Sequence, residues 1–341
     1  MDVLHISVFG PVNSGKSTLV NAIAGQEVSL VSAVPGTTTD PVRKRIELPG
    51  LGPCMLIDTA GLGDGSALGA ERERRTRAVL DETDVAVLLG DTPAPDGIPF
   101  VRYAGESVTE LLKRIAEVRP AEQPRFLTGK LVKSGDCVLL VMPQDSEAPK
   151  GRIILPQVQV LRELLDRGCN ALCCTPDSLP GALERVRPDL VVTDSQVFGP
   201  VNAAIPPDVP LTSFSVLLAG AKGDLAAYVE GAKAIDTLRP GDRILIAEAC
   251  THVPDTEDIG RVKIPALVRR RADVQVDIAA GNDFPEDLTP YALIIHCGGC
   301  VATATLLRSR IRKARLAGVP ITNYGIALAK LQGILERIAL P

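Results

Sequence analysis

The chain has 341 residues, of which 45% are hydrophobic and 23% charged, and its formal net charge is −4. This length is enough for two or three domains, and the composition is that of a globular protein. Aromatic residues make up only 3% and Trp is absent, so platforms for stacking single-stranded nucleic acid are scarce. The densest basic run, residues 261–272, is interpreted as a solvated face. The composition therefore argues against a nucleic-acid partner.

The sequence also argues against a membrane protein. No apolar run reaches the roughly 18 residues that a membrane span needs, and the opening MDVLHISVFG has the pattern of a strand, not of a signal peptide. We therefore expect a cytoplasmic protein without a membrane partner. In a reducing compartment its eight cysteines are expected to be thiols, metal ligands or core residues, not disulfides.

The first third of the chain has the pattern of an α/β nucleotide-binding fold. The predicted strands are LHISVFG (4–10), VRKRIELPG (42–50), CMLIDTAG (54–61), DVAVLLG (84–90) and IPFVRYA (98–104). The predicted helices are GKSTLVNAIAG (15–25), ALGAERERRTRAVLDE (67–82) and ESVTELLKRIAEV (106–118). A linker with two prolines, PAEQP, follows Arg119, so the first domain is predicted to span residues 1–119.

Alternating apolar runs and helices continue to the end of the chain and predict two more parallel sheets. The middle domain, residues 125–220, has predicted strands at 137–143, 170–176, 189–194 and 213–220 and helices at 158–168 and 180–186. The last domain, residues 221–341, has predicted strands at 243–249, 272–281, 291–300 and 319–325 and helices at 225–238, 305–318 and 327–338. The predicted fold is thus three α/β domains, the last resembling a doubly wound sheet.

The segment GPVNSGKS (10–17) matches the phosphate-loop pattern GxxxxGK[ST] between a strand and a helix. In such loops backbone N–H groups surround the phosphates, the lysine reaches the β- and γ-phosphates and the hydroxyl binds Mg²⁺. PGTTTD (35–40) and DTAG (58–61) follow in the order expected of a nucleotide switch. The predicted nucleotide contacts are Asn13, Ser14, Gly15, Lys16, Ser17, Thr18 and Gly61, and the predicted Mg²⁺ contacts are Ser17, Thr38 and Asp58.

These three motifs resemble those of GTPases of the Era and TrmE kind. In the potassium-activated members an Asn stands where this chain has Asn13, so the resemblance implies K⁺ at Asn13 and weak GTP hydrolysis. The guanine-reading NKxD motif is missing from the chain, and the first domain is shorter than its relatives. Either phosphate binding survives with loose base preference, or the domain is vestigial; the intact Lys16, Ser17 and Asp58 favour retained, weak binding.

The last domain carries a second chemical cluster, CTH (250–252) and HCGGC (296–300), each directly after an apolar β run. Three thiolates, from Cys250, Cys297 and Cys300, satisfy three irons of a [4Fe–4S] cluster and leave the fourth to His252, His296 or an outside ligand. The same residues fit a structural Cys₃His zinc site, or they are buried thiols beside core histidines. Spacing alone leaves these three readings open.

A phosphate-loop domain followed by an α/β domain and then by CTH and HCGGC resembles the HydF family, the scaffold GTPases that mature [FeFe]-hydrogenase. The resemblance implies a middle domain that forms a homodimer and a last domain that binds a [4Fe–4S] cluster through Cys250, Cys297 and Cys300, with His252 or His296 as fourth ligand. It also implies transfer of a diiron precursor, built by two radical-SAM partners, to apo-hydrogenase. GTP and Mg²⁺ would act as a switch through residues 35–40 and 61–69.

Two rival functions follow from the same motifs. One is a tRNA- or ribosome-associated GTPase relative with a structural zinc site, against which the acidic composition argues. The other is a redox sensor in which loss of the cluster alters hydrolysis. The remaining cysteines are predicted to be small buried hydrophobic residues: Cys54, Cys137, Cys169, Cys173 and Cys174.

Overall fold

The computed structural model describes residues 3–26, 41–61, 69–120, 126–144, 151–249, 258–281 and 283–341. The chain divides into two compact units, Met1–Gln123 and Pro124–Pro341. Within the described ranges, no helix has both the length and the apolar character that a membrane span requires.

The first unit is built on a five-stranded sheet with the order β2-β3-β1-β4-β5, parallel except for the antiparallel pair β2 and β3. Its strands are β1 (Leu4–Phe9), β2 (Val42–Leu48), β3 (Gly52–Asp58), β4 (Val85–Leu88) and β5 (Phe100–Arg102), and its helices are α1 (Lys16–Ala24), α2 (Gly69–Leu80) and α3 (Val108–Val118). Strand β4 is buried along its whole length because both faces of the sheet are covered: Val85 and Val87 pack in one apolar cluster, and Ala86 and Leu88 pack in another, which explains the continuous apolar sequence.

The second unit contains two four-stranded parallel sheets. The first sheet has the order β7-β6-β8-β9, with β6 (Cys137–Val141), β7 (Asn170–Cys174), β8 (Leu190–Thr193) and β9 (Leu211–Ser213). The second has the order β11-β10-β12-β13, with β10 (Arg243–Glu248), β11 (Gln275–Ala280), β12 (Leu293–His296) and β13 (Ile321–Asn323). The helices are α4 (Leu155–Asp166), α5 (Leu179–Leu183), α6 (Phe198–Ala204), α7 (Phe214–Lys222), α8 (Leu225–Ala232), α9 (Ile264–Arg269), α10 (Ala304–Leu316) and α11 (Tyr324–Leu331).

These two sheets repeat one another. GDCVLLV (135–141) leads into β6 as GDRILIA (241–247) leads into β10, and VPLTSF (209–214) matches VPITNY (319–324). The registers agree as well: Thr193 pairs with Val141 where His296 pairs with Ala247. Both sheets share one apolar core, to which Leu139 and Val191 of the first and Leu245 and Ile294 of the second all contribute. The second unit is therefore two copies of one βα arrangement packed together.

The predicted strand at 213–220 is wrong. Residues 214–222 form α7, and only Leu211–Ser213 are extended. The Ser213 side chain accepts a hydrogen bond from the Val216 N–H at 3.2 Å, which caps the helix directly at the strand end. Helix α7 is buried on most of its surface, so its sequence shows a continuous apolar run and no helical period. The predicted boundary between residues 220 and 221 falls inside this helix.

Candidate functional site

The phosphate loop connects β1 to α1 through two residues in the left-handed region. Asn13 has φ of +61° and Gly15 has φ of +87°. Asn tolerates this conformation better than most residues, and Gly adopts it without strain. Gly15 is also the N-cap of α1 and has no side chain to occupy the helix N-terminus. The first N–H groups of α1 are therefore presented to the loop, the arrangement that binds phosphate.

Lys16 lies inside this loop and is only 7% exposed. Its Nζ donates to the carbonyl oxygens of Gly10 at 3.2 Å and Pro11 at 2.7 Å. Burial lowers the pKa of Lys16, and the Asp58 carboxylate offsets part of that effect. The Oγ of Ser14 is buried and has no hydrogen-bond partner among the described residues. An orphaned hydroxyl and a buried ammonium in the same loop fit a loop that holds an anionic ligand.

The DTAG segment reaches the phosphate loop at two points. Ser17 Oγ donates to Asp58 Oδ2 at 2.6 Å, so the two predicted Mg²⁺ contacts on described residues are brought together. A Cβ at Gly61 would lie 2.7 Å from the Cα of Val12, so only glycine allows this approach. Asn13 and Thr18 are exposed at the loop surface. Thr38 lies outside the described residues, as does the rest of the predicted switch segment 35–40.

The cysteine loop, residues 297–300, leaves the carboxyl end of β12, next to the end of β10. The Ala249 N–H, just beyond β10, donates to Cys297 Sγ at 3.1 Å. Gly299 has φ of +63°, and a Cβ there would lie 2.9 Å from Leu307 Cδ1. Cys250 and His252 lie outside the described residues. Among the residues that are described, no group of three metal-binding side chains comes together.

His296 is fully buried at the end of β12. Its Nδ1 is 2.8 Å from the Cys297 carbonyl oxygen, to which it donates as the protonated nitrogen. Its Nε2 accepts from Arg310 Nη1 at 2.9 Å. Burial, followed by the Arg310 charge, lowers the pKa of His296 to about 3. The imidazole is therefore neutral, and both of its nitrogens are engaged in this structure.

Arg310 of α10 connects this histidine to the surrounding backbone. It is 2% exposed and donates to the carbonyl oxygens of Glu248, at 3.2 Å, and Gly281. Its guanidinium lies over the Phe284 ring, 4.8 Å from the centroid. The sequence predicts a helix at 305–318, but none of its residues was assigned to the site. The missed signal was the position of this arginine at helical spacing between the buried Leu307 and Ala314.

Beside Arg310, the buried Glu248 carboxylate is held by Arg261 Nη2 at 2.8 Å. Glu248 ends β10, two residues before Cys250, so this ion pair fixes the strand end from which the CTH segment departs. Lys222 of α7 also reaches the cysteine loop. Neither Arg261 nor Lys222 was predicted to belong to the site.

The other cysteines differ in exposure. Cys54 and Cys169 are buried, as predicted, and burial raises the pKa of Cys54 to about 11. Cys137 and Cys174 are partly buried. The prediction is wrong for Cys173, which is exposed because β7 is an edge strand of its sheet.

Three protein-family models match the chain. A model described as "50S ribosome-binding GTPase" matches residues 5–130. The "Hydrogen maturase F dimerization domain" matches residues 127–223, and the "Hydrogen maturase F tetramerization domain" matches residues 226–341. Together these matches confirm the predicted three-domain α/β fold with parallel sheets.

Curated relatives resemble only the first part of the chain. The tRNA modification GTPase MnmE of Acidiphilium cryptum is 44% identical over 108 residues, which are 30% of this chain and 25% of the relative. MnmE of Methylobacterium sp. is 46% identical over 94 residues, 26% of this chain and 21% of the relative. The chain thus spans about a quarter of the length of these relatives.

Solved GTPase structures superpose poorly on the whole chain. An Aquifex aeolicus Era variant bound to GDP.AlF4- is 15% identical, with a TM-score of 0.28 over 84% of this chain and 97% of that one. An S. thermophilus NFeoB variant bound to GDP.AlF4- is 18% identical, with a TM-score of 0.26 over 38% of this chain and 74% of that one.

Proposed function

Because the chain belongs to the hydrogen maturase F family, we propose that it is a GTP-binding scaffold that carries a [4Fe–4S] cluster and transfers a diiron precursor to apo-[FeFe]-hydrogenase. The observation that carries this proposal is the environment of Cys297. Its sulfur accepts an N–H from the neighbouring strand end, and a buried arginine and a buried lysine lie beside the loop that it begins. Donors and cations of this kind stabilise thiolate, the form in which cysteine binds iron.

In this proposal Cys250, Cys297 and Cys300 hold the cluster. Cys297 and Cys300 fit the role because their loop lies at the carboxyl end of a parallel strand, where ligands gather in open α/β sheets. When bound, the cluster supplies an iron at which cargo can be attached. Of the two candidate fourth ligands we favour His252, because both nitrogens of His296 are already engaged.

In the first unit, the same proposal assigns GTP and Mg²⁺ to the phosphate loop. Lys16 neutralises phosphate charge, while Ser17 and Asp58 share the Mg²⁺ ion with Thr38. Asn13 is the proposed K⁺ contact for weak hydrolysis, and residues 35–40 and 61–69 are the proposed switch segments. Base selectivity is expected to be loose because no NKxD motif is present in the sequence.

The partners in this proposal are two radical-SAM enzymes, which supply the diiron precursor, and the apo-hydrogenase, which receives it. Matches to dimerization and tetramerization domains support self-association through residues 127–223 and 226–341. We propose a cytoplasmic homo-oligomer whose three domains span residues 1–119, 125–220 and 221–341.

Activation of apo-hydrogenase by the protein, purified anaerobically after co-expression with the two radical-SAM partners, tests this function. Cys300→Ala is expected to abolish activation because one cluster ligand is lost. Lys16→Ala is expected to weaken GTP binding by a factor of 100 or more, on the order of two charged hydrogen bonds, with unchanged iron content. Cys173→Ala, at an exposed cysteine outside the proposed site, is the control and should match the unaltered protein. Full activation by Cys300→Ala would contradict the proposal.

A second candidate rests on the match of residues 5–130 to a ribosome-binding GTPase model. In that reading the protein is an RNA-associated GTPase relative, and its cysteines hold one structural zinc. Filter binding with tRNA and ribosomal RNA at moderate salt separates the two functions. The scaffold predicts no retention of RNA above that of an acidic control protein, whereas submicromolar, salt-dependent retention together with stoichiometric zinc would favour the RNA-associated function.

A further inference from the structure

Helix α7 ends in a buried lysine that contacts the cysteine loop. Lys222 is 5% exposed. Its Nζ donates to the carbonyl oxygens of Gly299 at 3.4 Å, Cys300 at 3.1 Å and Ala302 at 3.0 Å. A buried ammonium is costly unless it is hydrogen-bonded, and this one is surrounded by carbonyls of a single short segment. The lysine is thus placed to hold the shape of residues 299–302.

The loop needs such a donor because its backbone turns sharply. Gly299 lies in the left-handed region and packs its Cα against Leu307, and the Ala302 N–H donates back to the Gly299 carbonyl at 3.1 Å. Turning carbonyls away from a strand and into the protein leaves acceptors that must find donors. The Lys222 ammonium supplies three N–H groups at that point.

The other half of the repeat has the same arrangement with a neutral residue. The match of VPLTSF to VPITNY makes Gln332 the counterpart of Lys222, one residue after α11. Gln332 Nε2 donates to the Ser195 carbonyl at 3.3 Å, and Gln332 Oε1 accepts from the Gly199 N–H at 3.0 Å. In each half, a side chain at the end of the last helix therefore forms hydrogen bonds to the segment that follows the third strand of the other half. Lys222 contacts residues 299–302, and Gln332 contacts residues 195–199. A neutral amide suffices in the half that lacks the cysteine loop.

We infer that Lys222 is a positioning residue of the cysteine loop, which fixes residues 299–302 through three hydrogen bonds and places a positive charge beside the thiolates. The second role rests on the proposed function, since it concerns the bound cluster, whereas the first does not. A cation beside an anionic cluster favours its reduced, more negative state. The neutral side chain of Gln332 forms the equivalent hydrogen bonds in the other half. Hydrogen bonding to the segment therefore does not require a charge, whereas an effect on the cluster potential does.

Three substitutions separate the hydrogen bonds from the charge. Lys222→Met removes both, Lys222→Gln keeps N–H donors without charge, and Lys222→Arg keeps donors and charge. Lys233→Met is the control, because this lysine is exposed and pairs with Glu230, away from the cysteine loop. Two quantities are measured in the full chain: hydrogen–deuterium exchange of residues 297–303, and the midpoint potential of the reconstituted cluster.

We expect Lys222→Met to speed exchange of residues 297–303 about tenfold or more, because three carbonyls lose their donor. Lys222→Gln should largely restore slow exchange but leave the midpoint potential shifted to more negative values. Lys222→Arg should bring the potential back toward that of the unaltered protein, and Lys233→Met should change neither quantity.

Unchanged exchange in Lys222→Met would overturn the positioning role. A midpoint potential that is the same in Lys222→Gln and in the unaltered protein would overturn the charge role. If the unaltered protein binds no iron cluster, the proposed function fails, while the exchange comparison still decides the positioning role. Should Lys222→Met fail to fold, the pair Lys222→Gln and Lys222→Arg still decides whether the charge is needed, because both variants keep N–H donors and only Lys222→Arg keeps the charge.

Discussion

The two four-stranded sheets of the second unit have the same strand order and the same register, yet only the second is followed at its strand ends by the CTH and HCGGC motifs. Strand β12 ends in His296 and is followed by Cys297, whereas β8 ends in Thr193 and is followed by Asp194. In the first sheet these side chains are ordinary structural partners, since Thr193 Oγ1 donates to the Val141 carbonyl at 2.9 Å and Asp194 accepts from Gln157.

The difference shows what a site requires beyond a favourable place in the fold. Both sheets provide strand ends that open to ligands. The second sheet adds the paired thiols of Cys297 and Cys300, a glycine turn and the buried Arg310, and helix α7 of the first half contributes the buried Lys222. The same backbone thus serves for packing in one half and, in our proposal, for cluster binding in the other.

The largest expected effect is on metal content. Changing both Cys297 and Cys300 to alanine should remove nearly all bound iron, because two of three proposed thiolate ligands are lost. Asp194→Ala, the equivalent position of Cys297 in the first sheet, should leave iron content unchanged. Iron analysis of anaerobically reconstituted protein checks both variants. Iron retained in the double cysteine variant would place the cluster elsewhere.

The next effect is on folding stability. Arg310→Met leaves the acceptors of His296, Glu248 and Gly281 without their donor in the buried network, at a cost of roughly 3 kcal/mol in unfolding free energy. Arg312→Met, on the exposed face of the same helix, should change stability by less than about 0.5 kcal/mol. Urea denaturation of the metal-free protein measures both values. Equal stability of the two variants would mean that the Arg310 network contributes little.

A smaller effect is expected in the half without the cysteine loop. Gln332→Ala removes two hydrogen bonds to residues 195–199 and should cost about 1–2 kcal/mol. Iron content and midpoint potential should not change, in contrast to Lys222→Gln. The comparison of these two variants by denaturation and by redox titration shows whether the two halves use their equivalent side chains differently. A shift in the midpoint potential with Gln332→Ala would contradict the proposed difference between Lys222 and Gln332.

The smallest effect should be equal in both halves. Ser213 caps α7 and Asn323 caps α11, each through a hydrogen bond to the N–H three residues later, at 3.2 and 2.9 Å. Ser213→Ala should cost about 1 kcal/mol. Asn323→Ala should cost about the same, because each capping side chain makes further hydrogen bonds: Asn323 Nδ2 donates to Ser215, and Ser213 Oγ accepts from Ser195 Oγ at 2.8 Å. Thermal unfolding monitored by circular dichroism checks both, and a difference above about 3 kcal/mol would contradict equivalent caps.

Much of this architecture is predictable from the sequence, because the strands of a parallel sheet are short apolar runs separated by helices. The phosphate loop and the cysteine motifs are also recognisable from the sequence, because each has a characteristic residue spacing. Helix α7 was mistaken for a strand because a helix buried on nearly all sides loses its amphipathic period. The strand before it is only three residues long and passes straight into the cap at Ser213.

The buried cations of the site were harder to predict for a different reason. Lys222 is distant from the cysteine loop along the chain, and Arg310 lies within helix α10, which follows the loop. Charged residues in a sequence are normally interpreted as solvated. Only the packing of the two halves places Lys222 against residues 299–302. The internal repeat was an available clue, because the match of VPLTSF to VPITNY aligns Lys222 with Gln332 and so predicts that the two side chains occupy equivalent positions in the two halves.

The most direct test of the central claim is a count of iron, sulfide and zinc in the unaltered protein purified without oxygen, with an electron paramagnetic resonance spectrum after reduction. A cubane cluster on Cys250, Cys297 and Cys300 predicts about four irons and four sulfides for each chain and a spectrum that added imidazole changes. About one zinc for each chain, with no sulfide and no spectrum, would contradict the claim and make the cysteines structural zinc ligands.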